Sequence, residues 1–160
     1  MLSPQEKKEI DIELAQMPTK QAGCINALKI VQKYRRWVDD DGIADVARYL
    51  NMSREELDSI ATFYNLIFRR PVGEHVIFVC DSISCWIDGY RDILAHLTKK
   101  LGIALGETTT DGKFTLLPIP CLGLCDKAPA MIIDTSTYGE LTPGKIDVIL
   151  DEVIAKDNHG

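Results

Sequence analysis

Four of the five cysteines fall as two close pairs, Cys80-Asp-Ser-Ile-Ser-Cys85 and Cys121-Leu-Gly-Leu-Cys125. Two local thiolate pairs can converge on one soft centre, whereas cysteines that only fill a core have no need to come in twos. The pattern reads as a four-thiolate metal site with Cys80, Cys85, Cys121 and Cys125 as its donors. Zinc and an iron-sulfur cluster both suit such a set, and structural zinc sites typically place roughly two to four residues between paired cysteines. A 2Fe-2S cluster is wider than one ion and takes two thiolates per iron, which fits loops of four and three intervening residues. Spacing alone leaves both centres open. No histidine lies within either pair, which argues against a Rieske-type arrangement.

The surrounding residues suit a stiff, water-poor site. Pro118, Pro120 and Pro129 limit the freedom of the second loop, and Gly123 lets the backbone curl around an inorganic centre. Leu122 and Leu124 are expected to exclude water. Cys80 and Cys85 are placed where a strand ends and a helix begins, so backbone N–H groups there are expected to face sulfur. Other groups have plainer readings. Cys24 sits on an apolar helical stripe as a small hydrophobe. His75, His96 and His159 read as strand, helix-surface and tail residues, Asp39-Asp40-Asp41 as a helix cap, and Phe63, Tyr64 and Phe68 as core. The chain has no G-x-G-x-x-G, no P-loop and no thioredoxin-type C-x-x-C, so no dinucleotide or ATP site is expected on it.

Two kinds of element must position the cysteines. The first 70 residues read as helices. Ser3-Pro4-Gln5-Glu6 and Ser53-Arg-Glu-Glu56 are capping boxes. The apolar sets Ile10/Leu14/Met17, Cys24/Ala27/Leu28/Val31, Ile43/Val46/Ala47/Leu50 and Leu57/Ile60/Ala61/Tyr64 each form one helical face. Arg70-Pro71-Val72-Gly73 ends the run. Beyond it, His75 to Val79 is a strand that delivers Cys80, and Ile87, Tyr90, Leu94, Leu97 and Leu101 form a helix stopped by Gly102. Strands follow at Phe114 to Pro118, Ala130 to Ile133 and Thr137 to Leu141. A last helix opens at Thr142-Pro143 and buries Ile146, Val148, Ile149, Leu150 and Val153. The reading is an α+β chain, with a helical domain over residues 1–70 and a β-α-β-β-β-α domain over 74–160, a small mixed sheet with flanking helices.

Charge divides at the same place. Residues 1–73 carry 11 basic and 11 acidic side chains, and residues 74–160 carry 7 and 13, so the net charge of -6 lies wholly in the second part. An acidic, aromatic-poor domain offers a phosphate backbone nothing to bind, so a protein partner is expected and nucleic acid is not. No N-terminal apolar run and no membrane-length apolar stretch is present in the sequence, and the odd number of cysteines suits reducing surroundings. A soluble protein without direct membrane insertion is expected.

At the cysteine segments the chain resembles the thioredoxin-like 2Fe-2S ferredoxins, the family represented by the E-subunit of bacterial NADH:quinone oxidoreductase (respiratory complex I). The resemblance runs through Ala27 to Lys33, Trp37-Val38, Ala61-Thr-Phe-Tyr64, Cys80 and Cys85, Asp111-Gly-Lys-Phe114 and Cys121-Leu-Gly-Leu-Cys-Asp-Lys-Ala-Pro129. It implies one 2Fe-2S cluster on Cys80, Cys85, Cys121 and Cys125 in a thioredoxin-like domain, with no catalytic residue on this chain. It also implies a helical domain docked on a flavin-bearing, NADH-oxidising partner of the F-subunit type within the peripheral arm. FMN and NADH belong to that partner, and the location is cytoplasmic, peripheral to the inner membrane through the complex. The small diaphorase subunit of an NAD-linked hydrogenase or formate dehydrogenase is the alternative, and a zinc-stapled interaction module the remote one. The family often has histidine after the second ligand, where this chain has Trp86, which cannot become a cation. Two ferric ions, two sulfides and four thiolates sum to -2. Adding an electron beside Asp81 and Asp126 is therefore disfavoured, and a potential on the order of -400 mV is expected.

Overall fold

Ser3 begins the first helix as its spacing requires: its hydroxyl accepts from Glu6 N–H at 3.1 Å, and the Glu6 carboxylate accepts from Ser3 N–H at 2.6 Å. The computed structural model describes residues 1–157, so His159 lies outside the described residues. The chain divides into two compact units, Met1–Val72 and Gly73–Gly160.

The first unit is helical: α1 (Pro4–Leu14), α2 (Cys24–Arg35), α3 (Asp40–Leu50) and α4 (Arg54–Phe63). Its core gathers Ile10, Cys24, Ala27, Leu28, Val31, Val38, Ile43, Val46, Ala47, Leu50, Leu57 and Ala61. Asp39 caps α3 by accepting from Gly42 N–H at 2.7 Å, and Ser53 and Glu56 close the second capping box. Phe63 and Tyr64 depart from expectation. Phe63 is the last residue of α4 and Tyr64 its C-cap, and they are 81% and 43% exposed, while Phe68 is half-buried. Arg69 ties the unit's last segment down through Asp58 at 2.8 Å, Asp40 at 2.7 Å and the Val38 carbonyl.

Glu6 is the most consequential polar group of this unit. It is fully buried and takes a two-pronged grip from Arg35 at 2.7 and 2.9 Å, which holds its carboxyl below the usual carboxylate range. Arg35→Met leaves that carboxylate buried with the Ser3 N–H but without the cation that grips it, and should lower the stability of the chain by about 3 kcal/mol in urea unfolding at neutral pH. A carboxylate with a depressed folded pKa stabilises above its unfolded pKa and loses this as pH falls. The deficit of the variant should therefore shrink in acid.

The second unit is a four-stranded sheet with helices. β1 (His75–Cys80) runs parallel to β2 (Phe114–Ile119) and antiparallel to β3 (Met131–Ile133), and β4 (Ser136–Tyr138) completes the order β2-β1-β3-β4. Parallel neighbours need a long crossover, which α5 (Ile83–Ile87) and α6 (Tyr90–Leu101) supply, and α7 (Pro143–Asp157) closes the unit. Ile77, Leu97, Leu116, Met131, Ile146 and Leu150 are its most deeply buried large side chains. The crossover is not one helix from Ile87. Gly89, at φ +109°, breaks it, leaving Ile87 75% exposed and passing the buried role to Ile93. Val148 also faces outward on α7.

His75 has a stronger role than an ordinary strand residue. Its Nδ1 meets Asp134 at 2.6 Å and its Nε2 meets Asp157 at 3.0 Å, joining the start of β1, the β3–β4 turn and the end of α7. Burial disfavours the charged ring, but the two carboxylates overcome this and raise its pKa. Such a histidine stabilises fully below its unfolded pKa, and the contribution is lost as pH rises through the folded value. His75→Ala should cost roughly 1 kcal/mol at about pH 5.5 and clearly less at about pH 8.5, as read by thermal unfolding.

Candidate metal centre

The sheet topology itself brings the cysteines together. β1 and β2 run in register from His75 opposite Phe114 to Cys80 opposite Ile119, so both end at the same edge. Cys80 leaves β1 there, and Cys121 lies two residues past the end of β2. β3 runs the other way and starts at this edge, so the loop containing Cys125 returns to it. Two backbone bonds fix the junction: Cys80 N–H donates to the Ala130 carbonyl at 3.1 Å, and Asp81 N–H to the Ile119 carbonyl at 3.0 Å.

The four thiols sit in one neighbourhood. Cys80 and Cys85 are buried and hydrogen-bonded to each other, and Cys121 interacts with the sulfurs of both Cys80 and Cys125. Cys24 is buried in the helical unit and takes no part. The donors that reach sulfur come mainly from the second loop and the residue just before β3. Gly123 N–H lies 3.4 Å from the Cys121 sulfur, Ala130 N–H serves Cys85, and the Ser82 hydroxyl serves Cys121. Ser82 begins α5 without using its side chain as a cap, which leaves its hydroxyl for sulfur. Nothing in the spacing singled out Ser82 or Ala130, because both act through a fold contact.

The thiols differ in acidity. Burial first, then the bond to Cys80, pushes Cys85 up to about 11. The Gly123 N–H, followed by the Ser82 hydroxyl, holds the Cys121 thiol below its ordinary value. Cys85 therefore keeps its proton at neutral pH unless a cation displaces it, as a coordinating metal does. Leu122 and Leu124 are only half-buried, and Cys121 and Cys125 lie in exposed loop segments, so the chain alone does not enclose the site as expected.

The donor set, with contacts running from Cys85 through Cys80 and Cys121 to Cys125, fits a four-thiolate inorganic centre. Among the described residues, the group of three or more metal-ligating side chains whose donor atoms fall within 4.8 Å of one another is Glu74, His75 and Asp157. It lies at the start of β1, opposite the end that leads to the cysteines.

The second loop owes its position to Gly139. A Cβ there would lie 2.6 Å from Lys127 Cβ and 2.7 Å from the Lys127 carbonyl oxygen. Glu140 N–H donates to that carbonyl at 2.6 Å, and Leu141 N–H to the Pro129 carbonyl at 3.1 Å. The turn Cys125–Lys127 is thereby held against the segment after β4.

This fold and donor set define a small thioredoxin-like iron-sulfur protein, and the chain belongs to the thioredoxin-like [2Fe-2S] ferredoxin family, whose profile matches residues 10–154. It is 49% identical over 150 residues to the E-subunit of NADH-quinone oxidoreductase from Escherichia coli K12, covering 94% of this chain and 90% of that one. To the corresponding Pseudomonas aeruginosa E-subunit it is 45% identical over 154 residues, covering 96% and 93%. A solved NAD+-reducing [NiFe]-hydrogenase superposes with a TM-score of 0.71 at 25% identity, over 84% of this chain and 23% of that longer chain.

Proposed function

We propose that this chain is the electron-transfer subunit of an NADH:quinone oxidoreductase, with Cys80, Cys85, Cys121 and Cys125 holding one 2Fe-2S cluster. The observation that carries the reading is the convergence of two local thiol pairs at one end of the sheet, in a chain of the thioredoxin-like [2Fe-2S] ferredoxin family. The near-full-length likeness to two NADH-quinone oxidoreductase E-subunits supports the assembly. The hydrogenase likeness keeps a diaphorase subunit as the second reading.

When bound, the cluster supplies one-electron redox chemistry, while the hydride chemistry of NADH falls to FMN on a partner of the F-subunit type. The chain's own residues set the conditions. Cys80 and Cys85 anchor the site from the buried side, and the loop from Cys121 to Cys125 closes it from the outer side. Gly123 and Ala130 N–H and the Ser82 hydroxyl donate to sulfur and favour added negative charge. Asp81, Asp126 and the net charge of -6 oppose it. No helix among the described residues is long and apolar enough to cross a membrane. The proposed location is cytoplasmic, peripheral to the inner membrane through the other subunits.

A redox titration of the purified chain followed by EPR tests this reading. A one-electron midpoint well below zero, on the order of -400 mV, is expected. A clearly positive midpoint would overturn the electrostatic account.

A further inference from the structure

The five-residue helix α5 carries an apolar face turned away from the core. Ile83, Trp86 and Ile87, at i, i+3 and i+4, are 71%, 47% and 75% exposed, while Cys85 on the same helix is 2% exposed. Three large apolar side chains together in water on so short a helix mark an interaction site. Trp86 is held in place: its ring stacks on Tyr90 at 5.7 Å, and the Arg91 guanidinium lies over it at 4.4 Å. The rim is acidic. Asp81 and Asp88 flank the helix at its two ends, Asp92 follows Arg91, and Asp126 adjoins Cys125, all four exposed. Asp81 is close enough to Tyr90 to help burial raise its phenol pKa.

From this we infer that Ile83, Trp86 and Ile87 form the docking face for the protein that exchanges electrons with the thiol-bound centre, and that this partner presents an apolar patch rimmed by lysine and arginine. The inference rests on the function proposed above and names the surface through which it works. Charge selects the occupant. A second copy of this chain would bring the same carboxylates, an anionic lipid surface or nucleic acid would be repelled likewise, and a basic-rimmed protein would be attracted and steered. Position selects it too, because α5 holds Cys85 on its inner side and the apolar face on its outer side. A partner seated there lies one helix away from sulfur and shields from water a site the chain leaves partly open.

The test measures affinity of the cluster-loaded full-length chain for the purified flavin-bearing, NADH-oxidising subunit of the same complex. It compares wild type, Ile83→Asp/Ile87→Asp, the milder Ile87→Ser, and Val148→Asp as an exposed apolar control on α7. Iron content and the EPR signal of each chain are recorded before mixing. The double variant should bind about tenfold or more weakly and Ile87→Ser more mildly so, with Val148→Asp unchanged. Wild-type affinity should also fall about tenfold between about 50 mM and about 500 mM NaCl. If the double variant disturbs the centre, Ile87→Ser and the wild-type salt series decide. Unchanged binding by variants with an intact signal overturns the surface, and salt-independent binding overturns the basic rim. A wild-type chain that contains zinc and gives no signal overturns the electron-transfer function, and this inference falls with it.

Discussion

Cys85→Ala should reduce the iron content of the purified chain from about two per chain to near zero and abolish its EPR signal after reduction. Cys85 is buried on α5 and hydrogen-bonded to Cys80, and it receives the Ala130 N–H, so no other side chain can take its place. Its removal also takes the buried thiol neighbour from Cys80 and leaves only Cys121 beside it. Cys24→Ala is the matched control. Cys24 is also buried, but in the helical unit, and its loss should cost about 1 kcal/mol of stability with iron content unchanged. Iron analysis and EPR of the two variants separate donor from filler. Equal iron in both would remove Cys85 from the site.

Gly139→Ala is expected to have the second-largest effect, although residue 139 binds nothing. The new methyl would lie 2.6 Å from Lys127 Cβ and 2.7 Å from its carbonyl oxygen, and that carbonyl is already bonded to Glu140 N–H. Backbone must therefore move, which costs about 2 to 3 kcal/mol. The displaced segment is the turn Cys125–Lys127. A thiol pair that depends on this turn should hold its centre less firmly, so iron should leave the variant severalfold faster under a chelator. Wild-type rates of iron loss would show that the loop is set by other contacts.

Much of this was legible in the sequence where the physics is local. Both capping boxes form because each needs only one turn of chain, and Asp39 caps α3 for the same reason. The apolar stripes of α2 and α3 are buried as their periodicity requires. β1 formed over the β-branched run from His75 to Val79 that follows Pro71 and Gly73. Exposure was less legible. Tyr64, Ile87 and Val148 each continue an apolar period, yet α4 ends before Tyr64, Gly89 separates Ile87 from α6, and α7 turns Val148 outward. Periodicity reports spacing, not where a helix stops or which flank has a neighbour. The contacts that shape the centre were not legible, since Ser82, Ala130 and Gly139 act through long-range proximity. The His75 clasp is of the same kind, drawing on Asp134 and Asp157 from distant parts of the chain.

The central claim is that four cysteines from two local pairs hold a 2Fe-2S electron carrier. EPR of the purified full-length chain after dithionite reduction, with iron and zinc analysis of the same sample, tests it most directly. A rhombic spin-half signal with about two irons per chain is the predicted result. An EPR-silent chain with one zinc, produced in cells able to build clusters, would contradict it and make the four cysteines a structural staple.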